Sequence, residues 1–244
     1  MSTATMTHLT AKIEPFDSFW EGPKNVEQGY TSVRQFYKAN YCRHLPTRKD
    51  AAILVISCGP GYFVHMLLTE GYTRVQGIDS MPEKVQHAKA RGLPCEAAEA
   101  FPFLEEHQDR FDVIICEQEL NHLTKEEIYE FLRRCRESLT AVGMLIVHSL
   151  NGANPITGAE ALAQNVDHYN TFTEYSLRQV LTASGFAVQQ VIPLDLYVFY
   201  ANPFNYVAWA AAGLLTLVFR LAFLLYGKSN KLFTKKIAAI CVRA

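Results

Sequence analysis

Short apolar runs alternate with helical patterns through the middle of the chain. The runs at 51–57, 73–79, 111–117 and 143–149 are rich in branched apolar residues and have the length of buried strands. Segments with helical character separate them, and glycine or proline marks most of the boundaries. Strands separated by helices form βαβ units, so the pattern predicts an α/β fold with a doubly wound, mostly parallel sheet.

Capping residues indicate where two of the helices begin. Ser80 as a cap and Pro82 in the first turn predict a helix that ends near residue 91. Thr124 and Glu127 have the spacing of a capping box, which predicts a helix that continues to about residue 139. Both helices come after a predicted strand, as the βαβ pattern requires.

The last third of the chain adds another unit and an insertion. Residues 151–164 are rich in Gly, Ala, Asn and Pro and are predicted to form a loop. A helix over 174–183 with Thr173 as its cap leads to a strand over 186–192, and 235–243 is again typical of a strand. About 40 residues separate these last two strands, and they contain the longest apolar stretch of the sequence.

That stretch, residues 206–226, has Arg220 as its only charge. Its length is close to the roughly 20 apolar residues that a membrane-spanning helix needs. A spanning helix is the least favoured interpretation, because the strands on either side must pair in one sheet. A substrate-pocket helix or a homodimer interface is favoured over peripheral contact with the inner face of a membrane, although Trp209 and the nearby lysines also fit a membrane surface.

Composition narrows the class of protein. The 244 residues are 49% hydrophobic and 19% charged, and the formal net charge of -1 argues against a dedicated nucleic-acid-binding protein. Six scattered cysteines without a CxxC pair favour reduced thiols over disulfides or a metal site. Residues 1–14 contain no apolar signal segment, so we expect a cytoplasmic protein.

A glycine-rich turn and an acidic residue mark a candidate binding site. Gly59 and Gly61 follow the first strand and precede a helix, where glycines let the backbone approach a ligand. Asp79 ends the second strand, which places its carboxylate to accept hydrogen bonds from ribose hydroxyls. Val64 occupies the third position of the dinucleotide fingerprint and is not small, so a nucleoside cofactor other than NAD(P) is favoured over an NAD(P)-dependent oxidoreductase.

The segments around this turn resemble class I S-adenosylmethionine-dependent methyltransferases. The resemblance covers ILVISCGPG at 53–61, GID at 77–79, FDVIIC at 111–116, LNHL at 120–123, and the helix that begins with FTEYSL at 172–177. It is greatest to members associated with cell-surface glycans or small-molecule O-methylation. It implies a seven-stranded Rossmann-like sheet whose last strand is antiparallel and paired with the sixth, together with N-terminal lid helices.

The resemblance also implies a division of the chain and an activity. The expected parts are a tail with lid helices at 1–48, a cofactor-binding core at 49–197, an apolar helical insertion at 198–234 and a closing strand at 235–244. The expected reaction moves a methyl group from S-adenosylmethionine to an oxygen of a small-molecule, sugar or lipid-linked acceptor, with S-adenosylhomocysteine as the second product. The residues expected at the cofactor are Ser57, Cys58, Gly59, Gly61, Asp79, Ser80, Met81, Ala98, Glu117 and Tyr37.

Three positions depart from the family pattern. Val55 stands where the family has an acidic residue, Ser57 replaces its first glycine, and Ala97 stands where an acidic residue often faces the adenine. The backbone N–H of Ala98 is expected to contact the adenine instead. These departures leave open a cofactor-binding but catalytically weak scaffold protein as the alternative.

Three histidines lie where an acceptor would bind, at the carboxyl ends of the strands. His168 is the predicted general base, since the resemblance places a histidine four residues before Phe172, and Asp167 is its predicted orienting partner. His122, after the fourth strand, is the second candidate. His148 lies within a strand and is predicted to be a core histidine with satisfied hydrogen bonds.

Overall fold

The computed structural model describes residues 25–117, 119–163, 165–194 and 203–244. The tail before residue 25 and the first residues of the predicted insertion, 198–202, lie outside the described residues.

A seven-stranded sheet organises the chain, in the order β3-β2-β1-β4-β5-β7-β6. The neighbours from β3 to β5 pair in parallel, whereas β7 is antiparallel to both β5 and β6. This confirms the predicted fold, including the antiparallel last strand. The strands are β1 Ala52–Ile56, β2 Arg74–Asp79, β3 Cys95–Ala97, β4 Phe111–Glu117, β5 Leu139–Leu150, β6 Phe186–Leu194 and β7 Lys236–Arg243.

Both faces of the sheet are covered by helices, which explains the uninterrupted apolar runs. All five residues of β1 are buried, and alternate residues of this strand belong to different apolar clusters. Ile53 packs with Phe63 on one face, and Leu54 packs with Phe131 on the other. A central parallel strand between two helical layers has no solvent face and therefore needs no polar positions.

Nine α-helices occur in the described residues, and most of their limits agree with the capping signals. Thr124 and Glu127 form the predicted capping box. Ser80 does not cap its helix, because Met81 is the N-cap residue and makes no side-chain cap hydrogen bond. The helices are α1 Val26–Ser32, α2 Arg34–Tyr41, α3 Tyr62–Thr69, α4 Pro82–Ala90, α5 Ala100–Glu106, α6 Lys125–Ser138, α7 Gly158–Ala163, α8 Glu174–Ala183 and α9 Phe204–Leu225.

The segment predicted as a loop at 151–164 contains the short helix α7. Its composition gave little indication of a helix, but hydrogen bonds to a side chain before the helix fix the direction of the backbone. Asn154 Oδ1 accepts hydrogen bonds from the N–H groups of Ile156 and Thr157, both at 2.9 Å. An asparagine turn of this kind starts a helix that composition alone does not indicate.

The first two helices cover the glycine turn, as expected of lid helices. Four aromatic residues of α1 and α2 are buried against α3, and Arg34 and Lys38 both form ion pairs with Glu70, each at 3.0 Å. The aromatic residues are Tyr30, Phe36, Tyr37 and Tyr41.

The apolar insertion forms a single exposed helix, α9, in place of the favoured pocket helix. None of its described side chains is buried, and residues 206–225 are long and apolar enough to cross a membrane. Among the described residues, Phe219 and Phe223 pack against Phe233, and Arg220 donates a hydrogen bond to the Lys231 carbonyl. The expectation that this helix is buried within the protein is therefore wrong.

Candidate functional site

The turn after β1 is shaped by left-handed backbone at both glycines. Gly59 has φ 53° and Gly61 has φ 83°, a region that side chains rarely adopt. A Cβ at Gly61 would lie 2.9 Å from Leu93 Cδ1, so close packing also requires glycine there. A Cβ at Gly59 would meet no atom within 4 Å, so the turn is open at this position and can admit a ligand.

Asp79 links this turn to the end of β2. Its Oδ2 accepts a hydrogen bond from the Gly59 N–H at 2.8 Å, and its Oδ1 accepts one from the Met81 N–H at 2.9 Å. The side chain is buried at 9% exposure, and each carboxylate oxygen keeps a second lone pair for a ligand hydroxyl. The predicted ribose-binding carboxylate is thus held rigidly beside the glycine turn.

Ser57 has an unusual backbone for a residue with a side chain. Its φ is 59°, in the left-handed region, and the resemblance places a glycine at this position. Its hydroxyl donates a hydrogen bond to the carboxylate of Glu119, which follows β4. The serine therefore ties the ends of two neighbouring strands together, at the cost of a left-handed conformation.

Two predicted cofactor residues face the protein more than the expected ligand. The Cys58 side chain is buried in the apolar cluster under α3, so it offers a ligand only its backbone. The Ala98 N–H, predicted to contact adenine, donates to the Asp79 carbonyl at 3.0 Å. A contact of Ala98 with the cofactor would therefore use its methyl group or its carbonyl.

The lid helices bring tyrosines to the same edge of the sheet. The Tyr30 hydroxyl donates to the Pro60 carbonyl at 2.6 Å, which fixes α1 on the glycine turn. Tyr37 stacks on Phe63 with ring centroids 4.3 Å apart, and its hydroxyl donates to Glu117 Oε2 at 3.1 Å. Tyr37 and Glu117, both predicted at the cofactor, thus lie together at this edge of the sheet.

His148 differs from the satisfied core histidine that the sequence predicts. It is 1% exposed, and neither ring nitrogen has a hydrogen-bond partner among the described residues. Its Nδ1 lies 3.8 Å from Glu117 Oε1, beyond hydrogen-bond distance. Burial lowers the pKa of His148, because the charged form would lose its hydration.

The two catalytic candidates, His122 and His168, lie side by side. Their ring centroids are 4.8 Å apart. Asp167 contacts His122, with Oδ2 at 3.0 Å from Nδ1, and does not pair with His168 as predicted. His168 Nδ1 is instead bonded to the Ala161 carbonyl at 2.7 Å, in the helix α7 that sequence reasoning missed. The acidic partner therefore belongs to the other histidine.

Asn121 brings these residues together and was not predicted as part of the site. It is fully buried after β4, its Nδ2 donates to the Asn170 carbonyl at 2.6 Å, and its carbonyl accepts the Tyr169 N–H at 2.8 Å. These bonds join the segment of His122 to that of His168. A buried polar residue between Leu120 and Leu123 was the available signal, because buried amides are almost always hydrogen-bonded.

The electrostatics of this pair favour a neutral His122. Burial lowers the pKa of His122 more than the Asp167 carboxylate raises it. The Asp167 side chain is 29% exposed and that of His122 is 39% exposed, so an acceptor can reach the ring. A neutral imidazole with Nδ1–H held by a carboxylate leaves Nε2 free to accept a proton.

The same groups could hold a metal ion, although the sequence predicts none. One ligand atom from each of His122, Asp167 and His168 lies within 4.8 Å of the others. Two imidazoles and a carboxylate are a donor set that binds zinc and other transition metals. The arrangement thus permits either proton transfer or metal binding.

The predicted site residues therefore fall into two groups at the carboxyl edge of the sheet. The first surrounds the glycine turn and Asp79, and the second contains His122, Asp167 and His168. Glu119 lies between them, since it accepts from Ser57 and its carbonyl accepts the His122 N–H at 3.1 Å. In open α/β sheets this edge is where ligands bind.

Comparison with known proteins supports this interpretation. Residues 53–143 match a family model for a methyltransferase domain. That segment contains the glycine turn, Asp79 and His122, but it is less than half of the chain. No curated protein matches the chain in sequence.

Several solved structures that share this fold are S-adenosylmethionine-dependent methyltransferases. One from Archaeoglobus fulgidus has 17% identity and a TM-score of 0.62, over 89% of this chain and 97% of its own. One from Mesorhizobium loti has 17% identity and a TM-score of 0.59, over 85% and 98%. Magnesium protoporphyrin IX methyltransferase from Synechocystis, with bound S-adenosylhomocysteine, has 18% identity and a TM-score of 0.52, over 89% and 83%. Together with the domain match, the shared fold supports a methyltransferase domain with S-adenosylmethionine as its cofactor.

Proposed function

We propose that the chain is an S-adenosylmethionine-dependent methyltransferase that methylates a hydroxyl of a small-molecule, sugar or lipid-linked acceptor. In this reaction the hydroxyl oxygen forms a bond to the methyl carbon as the carbon–sulfur bond breaks. The sulfur keeps the electron pair and leaves as neutral S-adenosylhomocysteine. The hydroxyl proton passes to a base on the protein. The cofactor supplies the electrophile, and the protein supplies alignment and the base.

The observation that carries this proposal is the Asp167–His122 pair on the loop after β4. Asp167 holds Nδ1 of His122, so the ring keeps one orientation and one tautomer, with Nε2 as the proton acceptor. Burial lowers the pKa of His122 and keeps it unprotonated at neutral pH, which a general base requires. His122 therefore takes the role that the sequence assigned first to His168.

His168 serves as a positioning residue beside the base in this account. Its Nδ1 is bonded to Ala161, and its ring packs edge to face on His122. This contact restrains the orientation of the His122 ring. Loss of His168 is expected to disturb the base without removing it.

Transfer of a labelled methyl group to a panel of hydroxyl acceptors tests the assignment. We expect His122→Ala to lower kcat by about 10²–10⁴-fold, with S-adenosylhomocysteine affinity unchanged. Asp167→Asn should lower kcat less and move its rise with pH to lower pH, since the carboxylate that raises the pKa of His122 is gone. His87, an exposed histidine of α4, provides the matched control as His87→Ala. A larger loss in His168→Ala than in His122→Ala would return the base role to His168.

Chelation separates proton transfer from metal chemistry at the same residues. Activity that persists in excess chelator supports the base. Activity that is lost in chelator and returns with added Zn²⁺ or Mn²⁺ would reassign the three side chains as metal ligands. Cofactor binding without turnover on any acceptor would favour the scaffold alternative.

A further inference from the structure

The helix α9 exposes far more apolar surface than the rest of the structure. Twelve of the nineteen exposed large apolar side chains among the described residues lie between Phe204 and Tyr226. Leu214, Leu217 and Leu224 are 65%, 54% and 69% exposed. Contiguous apolar surface of this extent on one element marks an interaction site.

The exposed residues of α9 occupy most of its circumference. The half-buried positions form one strip along the helix, because they recur at intervals of three and four; they are Ala212, Thr216, Phe219, Ala222 and Phe223. Phe219 and Phe223 use that strip to pack on Phe233. Outside the strip the residues of the helix are apolar or aromatic, except for Asn205, Gly213 and Arg220.

This distribution argues for lipid as the covering partner. A second protein copy would cover one further face of a helix, whereas a bilayer surrounds every exposed face at once. A helix that is apolar all round is stable only inside a protein core or in a membrane, and α9 is outside the core. Its 22 residues are about 33 Å long at 1.5 Å per residue, so a helix that lies along the bilayer offers lipid a long apolar surface.

The two ends of α9 carry residues that suit a membrane interface. Tyr206 and Trp209 lie near the first end and Tyr226 at the second, where aromatic residues favour the headgroup level. Arg220 lies in the last turns, and its Nε donates to the Lys231 carbonyl at 2.7 Å. This bond holds the guanidinium at the backbone of Lys231, and Lys228 and Lys231 follow the helix in sequence, so positive charge collects at this end, as anionic headgroups would require.

The sheet determines how the helix can enter a bilayer. Leu194, the last residue of β6, pairs with Lys236, the first residue of β7. The chain before α9 and the chain after it are thus held at the same place in one domain. A single crossing of the bilayer would separate these two strands. Both ends of α9 therefore have to lie on the same side of the bilayer.

Side chains also connect α9 to the proposed acceptor site. Phe233 packs on α9, and its backbone is bonded to the segment before α7. Asn154 Nδ2 donates to the Phe233 carbonyl at 2.6 Å, and Asn151 Nδ2 donates to the Thr234 carbonyl at 2.8 Å. The helix α7 in turn holds His168 through Ala161. On either side of α7, the side chains of Ile156 and Val166 are 61% and 75% exposed.

We infer that α9 embeds in one leaflet of a lipid bilayer and holds the segment of residues 151–170 at the membrane surface. Given the proposed methyl transfer, the acceptor is then an amphiphile whose hydroxyl-bearing head group lies at the interface and whose tail stays in the bilayer. The membrane contact itself does not depend on the proposed activity, so the two can fail separately.

Vesicle flotation of the full chain tests the contact. We expect the protein to float with phosphatidylcholine vesicles, to float more completely when phosphatidylglycerol is added at low salt, and to stay bound at high salt. The triple variant Leu217→Asp, Leu221→Asp, Leu224→Asp should remain unbound while it keeps the affinity for S-adenosylhomocysteine. Val142→Asp is the matched control, because Val142 is 86% exposed in β5, outside the helix. This control should float like the unaltered protein.

Fluorescence of Trp209 measures the depth. The chain has two tryptophans, so Trp20→Phe leaves Trp209 as the single emitter. We expect a blue shift on addition of vesicles and quenching by lipids brominated in the acyl chain. An unchanged spectrum, or a triple variant that floats as well as the unaltered protein, would overturn the inference. Failure to float together with a dimer in detergent-free solution, dissociated by the triple variant, would assign α9 to a protein interface instead.

Discussion

The glycine turn and α9 differ in how many of their side chains are hydrogen-bonded or packed within the described chain. At the turn, Asp79, Ser57 and Tyr30 each bond to a neighbouring segment, and the apolar residues behind them are buried. In α9, one strip of side chains is packed and the remaining apolar surface meets solvent. Among the described residues, internal contacts therefore account for the turn, whereas most of the apolar surface of α9 is left uncovered. In the proposed function the first region is a preformed cofactor site, and in the membrane inference the second is an attachment surface.

The largest difference between the two regions is expected in the free energy of unfolding, when a large side chain is truncated in each. Phe63 is fully buried under Tyr37, so Phe63→Ala should lower the free energy of unfolding by about 3–5 kcal/mol, through lost transfer energy and a cavity. Leu224 is 69% exposed, so Leu224→Ala should change it by less than about 0.5 kcal/mol in vesicle-free solution. Denaturant unfolding of both variants measures the contrast. A destabilised Leu224 variant would show that α9 is packed in solution.

The next largest effect is expected at Asp79. Asp79→Ala removes a charged acceptor from the ribose site and should weaken S-adenosylhomocysteine binding by about 1.5–3 kcal/mol. Asp50 is an exposed carboxylate at 74% side-chain exposure, and Asp50→Ala provides the control. Calorimetric titration measures both. Equal affinity in the two variants would place the cofactor elsewhere.

The sequence predicted the first region well because its signals are local. Glycines after a strand, an acid at the end of the next strand and a capping box each act within a few residues, so Gly59, Asp79 and Thr124 could be placed correctly. The pairing of Asp167 could not be predicted, because it depends on Asn121 holding two distant segments together. The sequence left the exposure of α9 open between a pocket helix, a dimer interface and a membrane-surface helix, since length and hydropathy do not distinguish a core helix from a membrane helix.

A smaller effect is expected from the backbone at Ser57. Ser57→Ala loses the bond to Glu119 and keeps a side chain at φ 59°, whereas Ser57→Gly loses the same bond and relieves the conformation. The glycine variant should be more stable than the alanine variant by about 1 kcal/mol, because a left-handed residue with a Cβ costs about that much. Thermal unfolding of the pair measures this difference. An alanine variant that is the more stable would contradict the left-handed geometry.

The smallest effect is expected in the pH dependence of stability. Burial holds the pKa of His148 below its ordinary value of 6.5, so the unfolded chain binds a proton more readily than the folded chain. The stability that goes with neutral His148 is fully present above pH 6.5, and it is lost as the pH falls toward the lower pKa of the folded state. His148→Phe should therefore unfold with a weaker dependence on pH between 7 and 5. An unchanged dependence would mean that His148 is hydrated.

The central claim is that the glycine turn and Asp79 bind S-adenosylmethionine, and titration of the unaltered protein with S-adenosylhomocysteine and, separately, with NADH tests it most directly. The account predicts saturable binding of S-adenosylhomocysteine with one site per chain and no binding of NADH. Saturable binding of NADH without any binding of S-adenosylhomocysteine would contradict it.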